Sequence, residues 1–259
     1  MADLEYIVDD GIATILLNRP HRKNAFTLEM LDTWAECLRS ARSNPAVRVV
    51  LVTGAGGTFC AGVDLEDFSK ITSTLGRQEV LSHRVHRVAA AALELDKPLI
   101  AAVDGAAVGA GMDMALACDI RLASDRARFS EAYVRVGLIP GDGGAHLLPR
   151  IVGQARALEL LWTGRFVDAT EALDLGIVLS VHAPDQLAEE ANRLCRRLAD
   201  SPPVAVRAIK RLVRQGERVD FMTSLAMVAA EQAVVQSTRD SDEARTAFRE
   251  RRAPIFTGE

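Results

Sequence analysis

Two runs of this chain, Val47 to Thr53 and Leu99 to Val103, are built mainly of Val, Leu, Ile and Ala, with no alternation of polar and apolar side chains. A strand with one wet face alternates, because successive side chains point to opposite sides of a sheet. A strand that does not alternate must be covered on both faces, the condition of a parallel sheet between helical layers. These segments restrict the chain to an α/β architecture, and the patterns around them agree. Thr27 to Arg42 places Leu28, Leu31, Trp34, Ala35 and Leu38 on one helical face, and 77–95 reads as a second helix stopped by Lys97-Pro98. Tyr6-Ile7-Val8 and Ile12 to Leu17 flank Asp9-Asp10-Gly11, which reads as a hairpin. Gly105 to Gly111 is a turn of small residues, Met112 to Ala117 a helix and Ile120 to Ala123 a further strand. Strand, turn, helix and strand thus recur twice without a sequence repeat, as α/β layers do.

After Arg150 the pattern is nearly all helical, over Gln154 to Trp162, Asp168 to Leu173, Pro184 to Ala199, Pro203 to Gln215, Asp220 to Gln236 and Ser241 to Arg249. The expected organisation is a core over 1–199 and a helical region over 200–259. With 259 residues, 49% of them hydrophobic, the chain can bury a large core without disulfides or metals. A net charge of −4 excludes a uniformly basic surface of the kind that binds nucleic acid. Arg207, Lys210, Arg211, Arg214 and Arg218 form one basic stretch, read as a solvated helix face. Cys37, Cys60, Cys118 and Cys195 have neither disulfide nor zinc spacing and read as reduced thiols. With no signal-peptide pattern and charges breaking its most apolar region, Leu93 to Ile120, the expected place is the cytoplasm, with no membrane span.

Two segments carry possible chemistry. Phe59-Cys60-Ala61-Gly62-Val63-Asp64-Leu65 follows a buried strand, and its small residues let a ligand approach backbone N–H groups. Asp104-Gly105-Ala106-Ala107-Val108-Gly109-Ala110-Gly111 also follows a strand and opens a helix, whose first N–H groups lack intrahelical partners. Alone, the first is a tight turn and the second a close helix–strand contact. Together they offer two backbone donors at one sheet edge, able to stabilise an oxyanion that develops during reaction.

These segments, with Ile15-Leu16-Leu17-Asn18-Arg19-Pro20, Lys23-Asn24-Ala25, Lys97 to Gly105, Cys118 to Ala123, Gly137-Leu138-Ile139-Pro140 and Phe248 to Phe256, resemble the enoyl-CoA hydratase/isomerase (crotonase) superfamily over nearly the whole chain. The resemblance implies a spiral of ββα units with a helical C-terminal trimerisation region, assembled as a homotrimer or homohexamer. It implies an acyl-CoA thioester substrate and no metal or redox cofactor, coenzyme A entering only as part of the substrate. It also implies an oxyanion hole from the N–H groups of Val63 and Ala110. CoA would be bound near Lys23, Asn24, Ala25, Ala61, Asp64 and Leu65.

The acids depart from the family pattern. Hydratases similar to this chain carry glutamates at the positions of Asp113 and Tyr133. Asp113 keeps a carboxylate but loses about 1.5 Å of reach, and Tyr133, with an ordinary pKa of about 10, is a poor base. Glu131 would share a strand face with Tyr133 but stands off the family position. Asp142, in Gly141-Asp142-Gly143-Gly144, lies one residue beyond an acid that some superfamily isomerases carry after the Pro. Its competing reading is a helix N-cap. His146, four residues on, is placed to pair with it. Hydration of a 2-enoyl-CoA through two acids is the first expectation. A double-bond shift through one Asp is the alternative. Behind these stand a carbon–carbon bond hydrolase using Asp142 with His146, and a non-catalytic CoA- or RNA-binding homologue.

Overall fold

The computed structural model describes residues 2–259. Strands β1 (Leu4–Asp9) and β2 (Ile12–Leu17) pair antiparallel across a turn in which Asp10 and Gly11 have φ of 43° and 80°, so the expected hairpin forms. Helix α1 (Leu28–Ser43) starts at Thr27, whose hydroxyl accepts from Met30 N–H, and strand β3 (Val49–Gly54) follows. A short helix α2 (Leu65–Phe68) follows, and the helix expected over 77–95 is divided into α3 (Thr74–Val80), a π turn at Leu81–Val85 and α4 (His86–Glu94). Strands β4 (Leu99–Val103) and β5 (Ala106–Val108), helix α5 (Ala110–Leu116), and strands β6 (Ile120–Ser124) and β7 (Arg128–Ser130) complete the first half.

A 3₁₀ turn at Ala132–Val136 leads to α6 (Gly144–Val152), α7 (Gln154–Thr163), β8 (Val167–Asp168), α8 (Ala169–Asp174), β9 (Ser180–His182) and α9 (Leu187–Ala199). Helices α10 (Pro203–Gly216), α11 (Phe221–Gln236) and α12 (Arg239–Glu250) end the chain. The strands form a six-stranded sheet ordered β1-β2-β3-β4-β6-β9, parallel from β2 onward, and a smaller sheet ordered β5-β7-β8.

Both faces of the large sheet are covered, as the unbroken apolar runs require. Val50, Val52, Leu99, Ala101 and Val103 pack with Leu31, Leu38, Val88 and Ala92 of α1 and α4. Val49, Leu51, Ile100, Ala102 and Leu122 pack on the other face against Leu187, Ala191 and Cys195 of α9. Each fully buried Leu, Ile or Val contributes about 1.5–3 kcal/mol. Strands β5, β7, β8 and β9 carry no sequence pattern of their own. Two or three residues are too few to show a period.

Helix α10 is tied to the core by the basic stretch. Lys210 Nζ donates to Lys97 O and to Asp119, both at 2.6 Å, and Arg214 reaches Asp119 at 2.8 Å. The expected solvated face is therefore corrected at these two residues: Asp119, which also accepts from Leu99 N–H, draws their charges inward. No described helix is long and apolar enough to cross a membrane.

Candidate active site

The loop after β3 is laced between two neighbours. Cys60 N–H donates to Ala106 O at 2.9 Å and Val108 N–H to Cys60 O at 3.0 Å, joining it to β5. On its other side Phe26 N–H donates to Gly62 O and Asp64 N–H to Phe26 O, each at 2.9 Å. Between these bonds the Val63 N–H makes no backbone hydrogen bond. Gly62 has φ of 97°, and a methyl group there would lie 2.9 Å from Val108 O and 3.6 Å from Ala110 N. The loop bearing Val63 N–H therefore runs beside the start of α5. Ala110 is the first residue of that helix, so its N–H has no intrahelical acceptor and lies at the positive end of the helix. Gly111 lets α5 press directly on the Cys60 carbonyl. Two free donors thus adjoin at the edge of the sheet, as the sequence leads one to expect.

Beside them is a cluster of acids around Tyr133, whose ring lies 3.9 Å from where a methyl group on Gly109 would stand. Asp113, one turn into α5, is fully buried. Its Oδ2 accepts from Tyr133 OH at 2.7 Å and from Asp142 N–H at 3.2 Å, and the Gly144 backbone at the start of α6 also favours its charged form. Tyr133 has one proton: Asp113 Oδ2 takes it at the shorter contact, and Asp142 Oδ2, at 3.2 Å, is the competing acceptor. Burial, then the charge of Asp113, pushes the Asp142 carboxyl up to about 7, against the smaller opposing pull of the Tyr133 hydrogen bond. Burial and the same two aspartates push the Tyr133 hydroxyl far above its usual range, so it is a donor and not a base. Asp113 is raised by burial, but the bonds from Tyr133, Glu131, Asp142 and Gly144 all pull it back.

Three expectations change. Asp142 is not the N-cap of α6: Gly143 holds that place with φ of 120° and no side-chain cap, which turns Asp142 inward. His146 makes no pair with Asp142, because it lies on the exposed side of α6 while Asp142 points to Tyr133. Glu131 and Tyr133 do not share a strand, since the chain leaves β7 at Ser130 and turns. Glu131 nevertheless enters the cluster, 1% exposed, with its carboxyl beside that of Asp113 against Gly144. Its only sequence signal is an acid directly after a strand in a segment lined with other site residues.

The six residues expected near CoA are brought together. Ala61 N–H donates to Lys23 O at 3.0 Å, and Phe26 and Val63 form a parallel bridge that sets 23–25 beside 61–65. Lys23 and Leu65 are exposed and Ala25 and Ala61 half-buried. Asn24 and Asp64 are turned inward: Asn24 holds Ala55 O, Thr58 O and Arg19 N–H, and Asp64 pairs with Arg19 at 3.0 Å and caps α2. Their side chains are committed to shaping the loops.

Residues 8–259 match the family model described as enoyl-CoA hydratase/isomerase. This chain belongs to that family. Among its relatives, the 1,2-epoxyphenylacetyl-CoA isomerase of Escherichia coli (strain K12) is 37% identical, with 97% of each chain covered. The short-chain-enoyl-CoA hydratase of Clostridium acetobutylicum is 36% identical, over 93% of this chain and 92% of the relative. The crystal structure of an enoyl-CoA hydratase from Bacillus anthracis superimposes with a TM-score of 0.95 at 33% identity, covering 100% of both chains. The architecture is the crotonase fold, and family membership supports an enzyme acting on an acyl-CoA thioester. Hydratases and isomerases stand side by side among the relatives at nearly equal identity, so the reaction has to be argued from the acids.

Proposed function

We propose that this enoyl-CoA hydratase/isomerase family member shifts a carbon–carbon double bond in an enoyl-CoA, with Asp142 as its single acid/base. The N–H groups of Val63 and Ala110 would hold the thioester oxygen, and the loops 23–25 and 61–65 would receive CoA. The observation that carries this reading is the division of labour in the acid cluster. Asp113 Oδ2 already accepts from Tyr133 and the Asp142 backbone, and Asp113 Oδ1 is enclosed. Asp142 keeps its side chain free of any backbone donor, and burial raises its proton affinity to about 7. An acid whose pKa lies near the working pH is best suited to take a proton and return it.

With a 3-enoyl-CoA the step balances on one group. Ionised Asp142 takes a proton from the α-carbon, and the electron pair moves into the thioester to give a dienolate whose oxygen receives the two N–H bonds. Protonated Asp142 then returns the proton to the γ-carbon. The double bond now lies between the α and β carbons, and Asp142 is ionised again. Water addition is the second reading, favoured by Asp113 and Asp142 meeting on one hydroxyl. It would ask Asp113 to give up bonds that hold it, since Tyr133 cannot serve as the second base.

The test is a paired assay of purified protein with a 3-enoyl-CoA and a 2-enoyl-CoA, following the conjugated thioester absorbance. A rise from the first alone supports the shift; loss of signal from the second means hydration and overturns it. We further infer that α10 to α12 form the surface on which copies assemble as a trimer or a pair of trimers. Phe221, Met222 and Phe248 are 74%, 71% and 85% exposed in the single chain. Sedimentation as a monomer at micromolar concentration would remove that inference.

A further inference from the structure

Glu131 is the acid that the proposed reaction does not use. It lies between β7 and the 3₁₀ turn, makes no capping bond with its side chain, and is 1% exposed. Three carboxyl oxygens of the cluster are enclosed with no other assigned partner: Asp113 Oδ1 and both Glu131 oxygens. They converge on Gly144. A methyl group there would lie 2.8 and 2.9 Å from the two Glu131 oxygens and collide outright with Asp113 Oδ1. Only a residue without a side chain lets the two carboxyls meet above the start of α6.

Two carboxylates cannot both be ionised at this separation in a buried site, so the pair retains a proton. The groups acting on Glu131 are Asp113 from α5 and Asp142 from the loop before α6, with Tyr133 of the 3₁₀ turn bridging those two; no Lys, Arg or His contributes to the balance. The proton belongs on Glu131. Asp113 has donors from Tyr133, Asp142 and Gly144 that favour its charge, and Glu131 has none. Burial, followed by the charge of Asp113, pushes the Glu131 carboxyl up to about 10.

We propose that Glu131 is a positioning residue that stays protonated and donates to Asp113 Oδ1, holding Asp113 as the fixed anion of the site so that Asp142 alone carries the moving proton. A chain with an apolar residue at 131 would leave Asp113 Oδ1 enclosed without a donor. Asp113 would then take up a proton itself, and its charge would no longer raise Asp142. The acidic limb of activity, set by ionised Asp142, would move to lower pH. The proposal rests on Asp142 being the base, so the test has one arm that needs no turnover.

That arm is infrared spectroscopy of the native protein at about pH 8.5, between the values of Asp142 and Glu131. The carbonyl band of a protonated carboxyl is expected in the wild type and absent in Glu131→Gln. No band in the wild type would overturn the proposal whatever the protein catalyses. The second arm is kinetic. Glu131→Gln keeps a donor toward Asp113, so its acidic limb should stay in place with a modest loss of rate. Glu131→Met should move the limb down by about one pH unit and lower turnover by about tenfold. Limbs that coincide in wild type, E131Q and E131M would reduce Glu131 to a packing residue. If E131M does not fold, the band and the E131Q limb decide. A limb that persists in Asp142→Asn would sink the reading of Asp142 while leaving the infrared result intact.

Discussion

The two walls of this site are built on opposite principles. The wall of Val63 and Ala110 consists of backbone N–H groups fixed by the turns at Gly62 and Gly109, whose φ values are 97° and 52°. It has no titratable atom, and its strength comes from being unpartnered before substrate arrives. The second wall consists of Asp113, Glu131, Asp142 and Tyr133, all titratable and all buried or nearly so, with Tyr133 bridging Asp113 and Asp142. In the proposed reaction the first wall would hold charge without changing state, and the second would work by changing state. A developing anion needs a donor that does not move, whereas a travelling proton needs an acceptor whose affinity sits near that of the solution.

The sharpest way to break this contrast is Asp142→Asn. Turnover should fall by about 10³-fold with CoA-thioester binding nearly intact, measured by kinetics and calorimetry on the same sample. A loss below tenfold would hand the proton to another group. Next comes the other wall. Gly62→Ala forces a methyl group against Val108 O and displaces the Val63 donor, and a loss of about 10²-fold is expected. That loss should be the same at every pH, since nothing in this wall titrates; a pH-dependent loss would mean the walls are not separable.

The wild-type profile of kcat/KM gives the third test. It should fall about tenfold per unit below a limb at about 7, where Asp142 takes up its proton. A limb near 4 would place the base outside the cluster.

Stability provides a smaller effect with a definite sign. Asp142 and Glu131 have folded values raised to about 7 and about 10, above the unfolded carboxylate range near 4. Between those limits the folded state binds more protons than the unfolded chain. Their stabilising contribution is therefore complete at low pH and is lost as pH rises through 7 and then 10. The melting temperature should drop by about 5 °C between about pH 6 and pH 10. Asp142→Asn should flatten the part near 7, and an unchanged slope in that variant would refute the assignment. The least effect is expected at Cys60, enclosed in the loop after β3: burial pushes its thiol up to about 12. Alkylating reagent at neutral pH should leave both the thiol and the activity untouched, as mass spectrometry would show.

The donor wall was readable in advance because its requirements are local. Glycine at 62, 109 and 111 after apolar strands says that backbone is exposed there, and the family resemblance names the two N–H groups. The acid wall was only half readable. Asp113, Tyr133 and Asp142 could be named, but Asp142 was equally plausible as an N-cap, and the choice turned on Gly143 taking that place. Glu131 stands off the family position, and the strand that would set it on one face with Tyr133 ends at Ser130. The pairing of Asp142 with His146 follows helical spacing correctly, yet the helix begins at Gly144, so Asp142 lies outside it.

By itself the sequence determined the layers. Unbroken apolar runs at β3 and β4 require cover on both faces, and the helical patterns of α1, α9 and α10 supply amphipathic segments to provide it. It also determined the chemical inventory, with Asp113 and Tyr133 where similar hydratases carry glutamates. Only the tertiary structure decided which acid keeps its proton, which stays charged and which is free to exchange. Those states are set by desolvation and by the number of donors each carboxyl meets, and the donors come from Gly144, Tyr133 and the Asp142 backbone, some 20 to 30 residues along the chain from Asp113. Proton affinity is a property of the space around a group, and that space exists only once the chain has folded.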